Sequence, residues 1–414
     1  MRIAFISYEY PPDTAFGGIA TYVQQAAKML MARGHHVEII AGSSEEPRSY
    51  GDEGVLVHTV KSDAASFPIG AGELFAERHK SVRFDVLEGP EFGADASEAV
   101  RHVPDIPLVV KLHTSLSLMR TISVPAIPWV NRVRIRLGAW RRGRRPGWET
   151  DPSKDVECAH TLQADEIAAP CKSIAEVMRR EWKLDPDLIS LVPLPYVPSE
   201  RLLSIPCGSG NTDNVLFLGR LELRKGVVEL AKAVRLVARR LPGVRFRFVG
   251  ADQPGPGGGG SMIDHMKSLM GPYAPCAEFS GAVPMNEVSN VLSTASVCVY
   301  PSHWENFPLV CLEAMAAGRA VIGSEAGGMA EMLDGGRCGI LIRPFRPQLI
   351  AEQIIRVLSD PETARTMGER ARARILSDYS AERIARLQED SYRRAIARRA
   401  ALGPRPTAAH FSNV

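Results

Sequence analysis

Two glutamates in the stretch HWENFPLVCLEAMAAG, Glu305 and Glu313, stand eight residues apart in contrasting company: the first in a polar and aromatic run, the second among Leu312, Ala314, Met315 and Ala316. A carboxylate is costly to bury unless hydrogen-bond donors meet it, and sugar or ribose hydroxyls are such donors; the plainer reading of Glu313 is the wet side of a helix. Upstream, Arg220 and Lys225 lie within GRLELRKG, a turn with glycine at both ends. A guanidinium fork and an ammonium point charge at that spacing suit a diphosphate, although a single lysine is more often a solvated surface cation. His113 and Thr114 end the apolar run that starts at Leu108, so an imidazole stands at a strand end, where ligand contact and a structural role weigh equally. Gly17-Gly18 and Gly327-Gly328 each precede a helix, whose free N–H groups and dipole favour an anionic oxygen; a turn that needs backbone freedom would use the same glycines.

The elements that must position these groups read as two series of alternating strands and helices. Strand Arg2 to Ser7, a loop with Pro11, Pro12, Gly17 and Gly18, a helix from about Ile19 to Arg33 and a strand from His36 to Ala41 form a βαβ unit. Ile19, Val23, Ala26, Ala27 and Leu30 give that helix its apolar face, and Gly34 stops it. Apolar runs at Val55 to Val60, Phe84 to Leu87 and Leu108 to Leu112 extend the pattern to an open parallel sheet. The stretch 188–214, with Pro193, Pro195, Pro198 and Pro206 and then a Gly/Ser/Asn run, reads as a linker. Beyond it come strand Val215 to Leu218, helix Val227 to Arg240, strands Phe246 to Val249 and Val297 to Tyr300, helix Leu309 to Ala317 and strand Ala320 to Ile322. In sheets of this kind ligands bind beyond the carboxyl ends of the strands, where the candidate residues fall. The run PGPGGGGS at 254–261 reads as a surface loop, Asp185-Pro186-Asp187 as a turn, and the tail 403–414 as disordered.

Composition narrows the class. With 414 residues, 45% of them hydrophobic and 23% charged, the chain has material for two cores of a soluble globular protein. Fifty basic against 47 acidic residues leave a formal charge of +3, too little for a general attraction to nucleic acid. Seven scattered cysteines without a Cys-x-x-Cys pair argue against a disulfide framework or a zinc site and fit a cytoplasmic setting. The opening MRIAFISYEYPP reads as a strand, not a signal peptide, and no apolar segment is long enough for a transmembrane helix. One basic run stands out, TISVPAIPWVNRVRIRLGAWRRGRRPGW at 121–148. It carries Arg132, Arg134, Arg136, Arg141, Arg142, Arg144 and Arg145 interleaved with Trp129, Val133, Ile135, Leu137 and Trp140. That mixture suits an anionic membrane surface, with a solvated loop and an RNA-binding patch as the alternatives.

Taken in order, the Gly17-Gly18 loop, the Leu-His-Thr strand end, the GRLELRKG turn, the Glu305/Glu313 pair and the GGMAE turn at 327–331 resemble the family 4 retaining glycosyltransferases of the GT-B fold, over nearly the whole chain. The resemblance implies an α/β protein with two Rossmann-like, doubly wound domains facing a central cleft. Residues 1–195 would bind the acceptor and 196–380 the nucleotide-sugar donor, while a helix over 381–402 returns to the first domain. It implies Arg220 and Lys225 on the diphosphate, Glu313 on the ribose, and Glu305 with the amides around Asn306 and Phe307 on the donor sugar. Gly17 and Gly18 would approach the diphosphate, with Gly327 and Gly328 also on the donor and His113 beside the anomeric carbon. Glu88 and Glu91, after the strand Phe84 to Leu87, join His113 as expected acceptor contacts. Catalysis would rest on His113, Arg220, Lys225 and Glu305, with the leaving diphosphate helping to deprotonate the acceptor and with neither metal nor cofactor. The implied partners are a UDP- or GDP-sugar and a glycan or polyprenyl-linked glycan, met in the cytoplasm or on the inner face of its membrane.

This chain departs from the family at one point: Glu305-Asn306-Phe307-Pro308 stands where many members read Glu-x-Phe-Gly, and proline has no N–H to donate there. A backbone contact to the donor sugar made at that position elsewhere in the family is therefore absent from this chain. A dinucleotide-dependent oxidoreductase lacks its GxGxxG fingerprint here. A GT-B sugar-nucleotide epimerase and a catalytically silent sugar-nucleotide binder are the remaining alternatives.

Overall fold

The computed structural model describes residues 1–14, 17–122, 124, 127, 129–149, 151–208, 213–256 and 259–406. They divide into two compact units: Met1–Pro195 joined by the chain from Ala381 onward, and Tyr196–Ser380.

The first unit is built on an eight-stranded sheet of β1 (Arg2–Ser7), β2 (His36–Ser43), β3 (Ser49–Asp52), β4 (Val55–Lys61), β5 (Val86–Pro90), β6 (Leu108–Lys111), β7 (Glu166–Ala169) and β8 (Ile189–Leu191). Its order is β3-β4-β2-β1-β5-β6-β7-β8, parallel except for β3 against β4. Strand β1 is buried along Ile3 to Ser7, as a strand covered on both faces must be, and its apolar run lacks alternation for the same reason. The order reverses between β1 and β5, where Ile3 lies beside Val86, and such a reversal opens a crevice at the carboxyl edge. Two expectations need correction. Ile189–Leu191, placed in a linker because of the prolines that follow, pairs with β7 as an edge strand. Strand β5 starts later than the apolar run suggested and takes Glu88 inside it.

The helix Ala381–Leu402 belongs to this unit. Tyr392 donates to Glu88 at 2.7 Å, Arg399 meets Asp165 at 2.5 Å, and Glu389 pairs with Arg33 and, at 3.0 Å, with His35. The start of the tail, expected to be disordered, is pinned: Arg405 donates to Asp165 and to the Ile106 carbonyl, each at 2.6 Å. The rest of that expected disorder, 407–414, lies outside the described residues.

The second unit carries a six-stranded, all-parallel sheet of β9 (Asn214–Leu218), β10 (Arg245–Val249), β11 (Ala277–Phe279), β12 (Val297–Tyr300), β13 (Ala320–Ser324) and β14 (Ile340–Ile342), ordered β11-β10-β9-β12-β13-β14. The helix Val227–Arg240 has Val227, Leu230, Ala231, Val234 and Val237 on one face, and this stripe packs with Phe217, Phe246 and Phe248 of the sheet. The loop 254–261 is described except for 257–258; Pro254 and Ser261 bridge, and Ser261 caps the helix Met262–Met270. Here the order reverses between β9 and β12. The turn after β9 holds Arg220 and Lys225, and the loop after β12 holds Glu305.

Candidate functional site

Three loops meet at this reversal. A 3-10 turn, Leu223–Lys225, ends at Gly226 with φ 71°, and a Cβ there would lie 2.0 Å from the Pro301 carbonyl oxygen, so only glycine lets the first loop touch the second. The His303 N–H donates to the Arg224 carbonyl at 2.8 Å across the same contact. The third loop, after β13, forms a parallel bridge between Gly327 and Glu305. The Gly328 N–H donates to the Glu305 carbonyl at 2.8 Å, and the Glu305 N–H to Ala326 at 3.3 Å. The Gly328 amide, expected on the donor, holds the Glu305 backbone here.

The Glu305 side chain is the hub of a charge cluster. Lys225 Nζ lies 2.5 Å from Oε1, Arg224 Nη1 3.5 Å from Oε2, and Ser302 donates to Oε1 at 3.0 Å. Burial would push this carboxyl up, but Lys225 and Arg224 with the Lys225 and Ser302 hydrogen bonds outweigh it and hold it below the usual range. Arg224 also donates to the Trp304 carbonyl at 3.2 Å and meets Glu222 at 2.8 Å. The two cations singled out in the sequence differ: the Arg220 side chain is 61% exposed and 3.5 Å from Glu222, whereas that of Lys225 is 17% exposed and bound to Glu305. With Arg224, three cations face two carboxylates, which suits an anion with more than one charge. Arg224 and Ser302 were not assigned roles from the sequence; the signal was adjacency, since each lies within three residues of a chosen one.

Glu313 stands on the helix Leu309–Ala316, with Pro308 one residue earlier as the N-cap. The carboxyl is buried, and among the described residues no hydrogen bond or ion pair meets it. Burial alone pushes it up to about 7. A buried acid without a partner is a group awaiting donors. The Phe307 ring packs edge-on against Tyr379, 5.6 Å between centroids, so its side chain is a core residue.

The carboxyl edge of the first unit is held by buried acids. Both Glu91 oxygens accept from the His113 N–H at 2.7 Å. Glu157 accepts from Gly93 at 3.0 Å and Leu116 at 2.8 Å, and Asp95 from Tyr8 at 2.7 Å. The loops after β1, β5 and β6 are therefore tied to three carboxyls, with Glu91 pushed by burial up to about 8 and Asp95 up to about 7. His113 packs edge-on against Tyr22 at 5.3 Å, and burial, with Lys111, holds its imidazole down to about 3, so it is neutral. Gly17 caps the helix Gly18–Ala32 through backbone alone, and a Cβ on Gly18 would meet nothing within 4 Å.

Two of the expected acceptor contacts have their carboxyl oxygens engaged inside the first unit. Glu88 is 1% exposed, and its oxygens take hydrogen bonds from Tyr22, Tyr392 and Gln388. Glu91 is fully buried and spends its oxygens on the His113 backbone. Replacing Glu88 by alanine is expected to strip the Tyr22 and Tyr392 hydroxyls of their acceptor, to leave Gln388 only those hydroxyls, and to cost about 3–5 kcal/mol in urea-induced unfolding. A loss under about 1 kcal/mol would contradict a structural Glu88.

Residues 16–199 match the family model described as Glycosyltransferase Family 4, and 209–374 that of Glycosyl transferases group 1. The chain is 26% identical over 403 residues to a glycogen synthase of Mycobacterium tuberculosis, covering 93% of this chain and 92% of that protein. It is 26% identical over 430 residues to a D-inositol 3-phosphate glycosyltransferase of Arthrobacter, covering 95% of each. Among solved structures it is similar to a sucrose-phosphate synthase from Thermosynechococcus elongatus, with a TM-score of 0.74 and 22% identity over 96% of this chain and 99% of that one. Anabaena Alr3699/HepE, solved in complex with UDP-glucose, gives a TM-score of 0.63 and 16% identity over 94% of this chain and 99% of its own. The likeness thus runs through both units.

Proposed function

Because the chain belongs to the family 4 glycosyltransferases of the GT-B fold, we propose that it moves a hexose from a UDP- or GDP-sugar to a hydroxyl of a glycan or polyprenyl-linked glycan. The anomeric configuration is retained, the new linkage is α, and no metal takes part. The observation that carries this reading is Glu313: a buried carboxyl with no partner among the described residues, one helix turn beyond the loop whose Glu305 meets Lys225 and Arg224, cations that suit a diphosphate. HepE, which shares the fold, was solved with UDP-glucose bound.

In this mechanism the donor diphosphate competes with Glu305 for Lys225. Once Lys225 turns to the phosphates, Glu305 keeps Ser302 and Arg224 and gains room to accept from the hexose hydroxyls. As the bond from the anomeric carbon to diphosphate oxygen breaks, negative charge builds on the leaving group, where Lys225 and Arg220 stabilise it. The acceptor oxygen bonds to the anomeric carbon on the face the diphosphate leaves, and its proton passes to a diphosphate oxygen. The first unit binds the acceptor, and His113, as a neutral imidazole, hydrogen-bonds the hexose without adding charge.

The direct test incubates the chain with UDP-, GDP- and ADP-hexoses in the presence of chelator, follows nucleoside diphosphate release, and reads the product's anomeric configuration by NMR. Release from at least one donor and an α product are expected. No release from any donor would reduce the protein to a silent binder, a β product would end the retaining mechanism, and silence only in chelator would end metal independence.

Glu313 adds a pH dependence. Its carboxylate accepts ribose hydroxyls better than its acid form, so donor binding releases the proton that burial holds until about pH 7. Donor affinity is expected to rise as pH climbs through about 7 and to flatten in Glu313→Gln, measured by calorimetry from pH 5.5 to 8.5. An unchanged profile in the variant would remove Glu313 from the ribose.

A further inference from the structure

The transferase reading leaves the helix Trp129–Arg141 of the first unit unused. It follows β6 and the short helix Leu116–Ile122 along the chain. At about 100° per residue, Trp129, Val130, Val133, Leu137 and Trp140 fall on one arc of about 100°. A helix of a globular protein turns such a stripe to the core. Here it faces outward: Trp129 is 70% and Trp140 76% exposed, and Val130, Val133 and Leu137 are exposed with them. Ala139, the one buried residue of this helix, lies outside that arc, and Ile135, also outside it, is exposed.

The rims of the stripe are basic. Arg132 and Arg136 border one side, Arg134 and Arg141 the other, and Arg142, Arg144 and Arg145 follow at once. Among the described residues only two of the seven meet a carboxylate, Arg136 with Glu149 at 3.5 Å and Arg145 with Asp151 at 4.0 Å. Both pairs are long and exposed, so the positive charge is open to a partner.

We propose that this helix lies flat on an anionic lipid bilayer, the Trp129/Trp140 stripe entering the headgroup boundary and the flanking arginines contacting lipid phosphates. The pairing of an apolar stripe with basic rims selects this occupant. A second copy of the chain would set the same arginine rims against each other in a two-fold contact. Nucleic acid would use the arginines and stack on the tryptophans but leave Val130, Val133 and Leu137 in water. The inference goes beyond the transferase reading and does not rest on it.

Sedimentation of the whole chain with vesicles of phosphatidylcholine and phosphatidylglycerol tests it. Binding is expected to carry a blue shift of tryptophan emission, to weaken steeply with salt, and to be at least about tenfold weaker on phosphatidylcholine alone. The double variant Trp129→Glu/Trp140→Glu is expected to lose more than about tenfold in partitioning, with its thermal midpoint unchanged because both side chains are exposed. Arg134→Gln/Arg141→Gln is expected to reduce the salt dependence. No sedimentation with anionic vesicles, or equal sedimentation of the tryptophan variant, overturns the proposal. So does a dimer that this variant dissolves, or retention on single-stranded DNA, where neither comes with vesicle binding. Nucleoside diphosphate release by the same preparations is read separately, so failure of docking and failure of glycosyl transfer are told apart.

Discussion

Lys225→Ala is expected to lower kcat for glycosyl transfer by about 10²–10³, the loss typical of removing one preorganised stabiliser of a developing anion. The expectation rests on position: Lys225 sits in the turn after β9 with its ammonium 2.5 Å from Glu305, at the reversal of strand order. The same change leaves Glu305 with Arg224 and Ser302 only, and a buried carboxylate deprived of one partner costs about 1–3 kcal/mol. Steady-state kinetics and urea unfolding on one preparation separate the two effects. Lys225→Met, which keeps the apolar stem, should lose as much rate. Activity within about threefold of wild type in either variant would remove Lys225 from the transition state.

Gly327→Ala should be nearly as damaging for a different reason. Gly327 has φ 89°, and an added Cβ would stand 1.9 Å from the Glu305 carbonyl oxygen, with backbone on both sides of the clash. Strain at positive φ and the forced shift together should cost about 2–5 kcal/mol. Relief can come only by parting the two loops, which breaks the Gly328 to Glu305 hydrogen bond and moves the hub of the charge cluster. Differential scanning calorimetry should show a lowered transition, and donor binding should fall with it. Gly18→Ala is the control: its Cβ meets nothing within 4 Å, so its thermal midpoint should hold while any loss of donor affinity reports close approach by the ligand. Equal midpoints for Gly327→Ala and wild type would refute the steric account.

The difference between these glycines illustrates what a sequence can convey. Glycine before a helix reads the same at Gly18 and Gly327, yet one faces open space and the other another loop. Local pattern gave the strand Val297–Tyr300 and the helix Val227–Arg240 because an apolar run and an apolar face are properties of neighbours in the chain. It failed at Glu88, whose place inside β5 depends on a two-residue shift of the strand, and at Ile189–Leu191, whose pairing with β7 no nearby residue announces. The cations and carboxylates of the second unit were legible because the sheet reversal gathers strand ends. Asp95 and Glu157 were not, because each acts on the backbone of a loop far away in sequence.

The bridging of three loops around Glu305 also bears on how such a site can be rebuilt. Arg224 is fastened to His303 and Gly327 to Glu305, so neither partner of a pair can be exchanged alone without leaving the other shaped for an absent neighbour. A graft from a relative, intended to give this protein a different sugar preference, would have to carry 219–226, 301–308 and 324–328 together as one cassette.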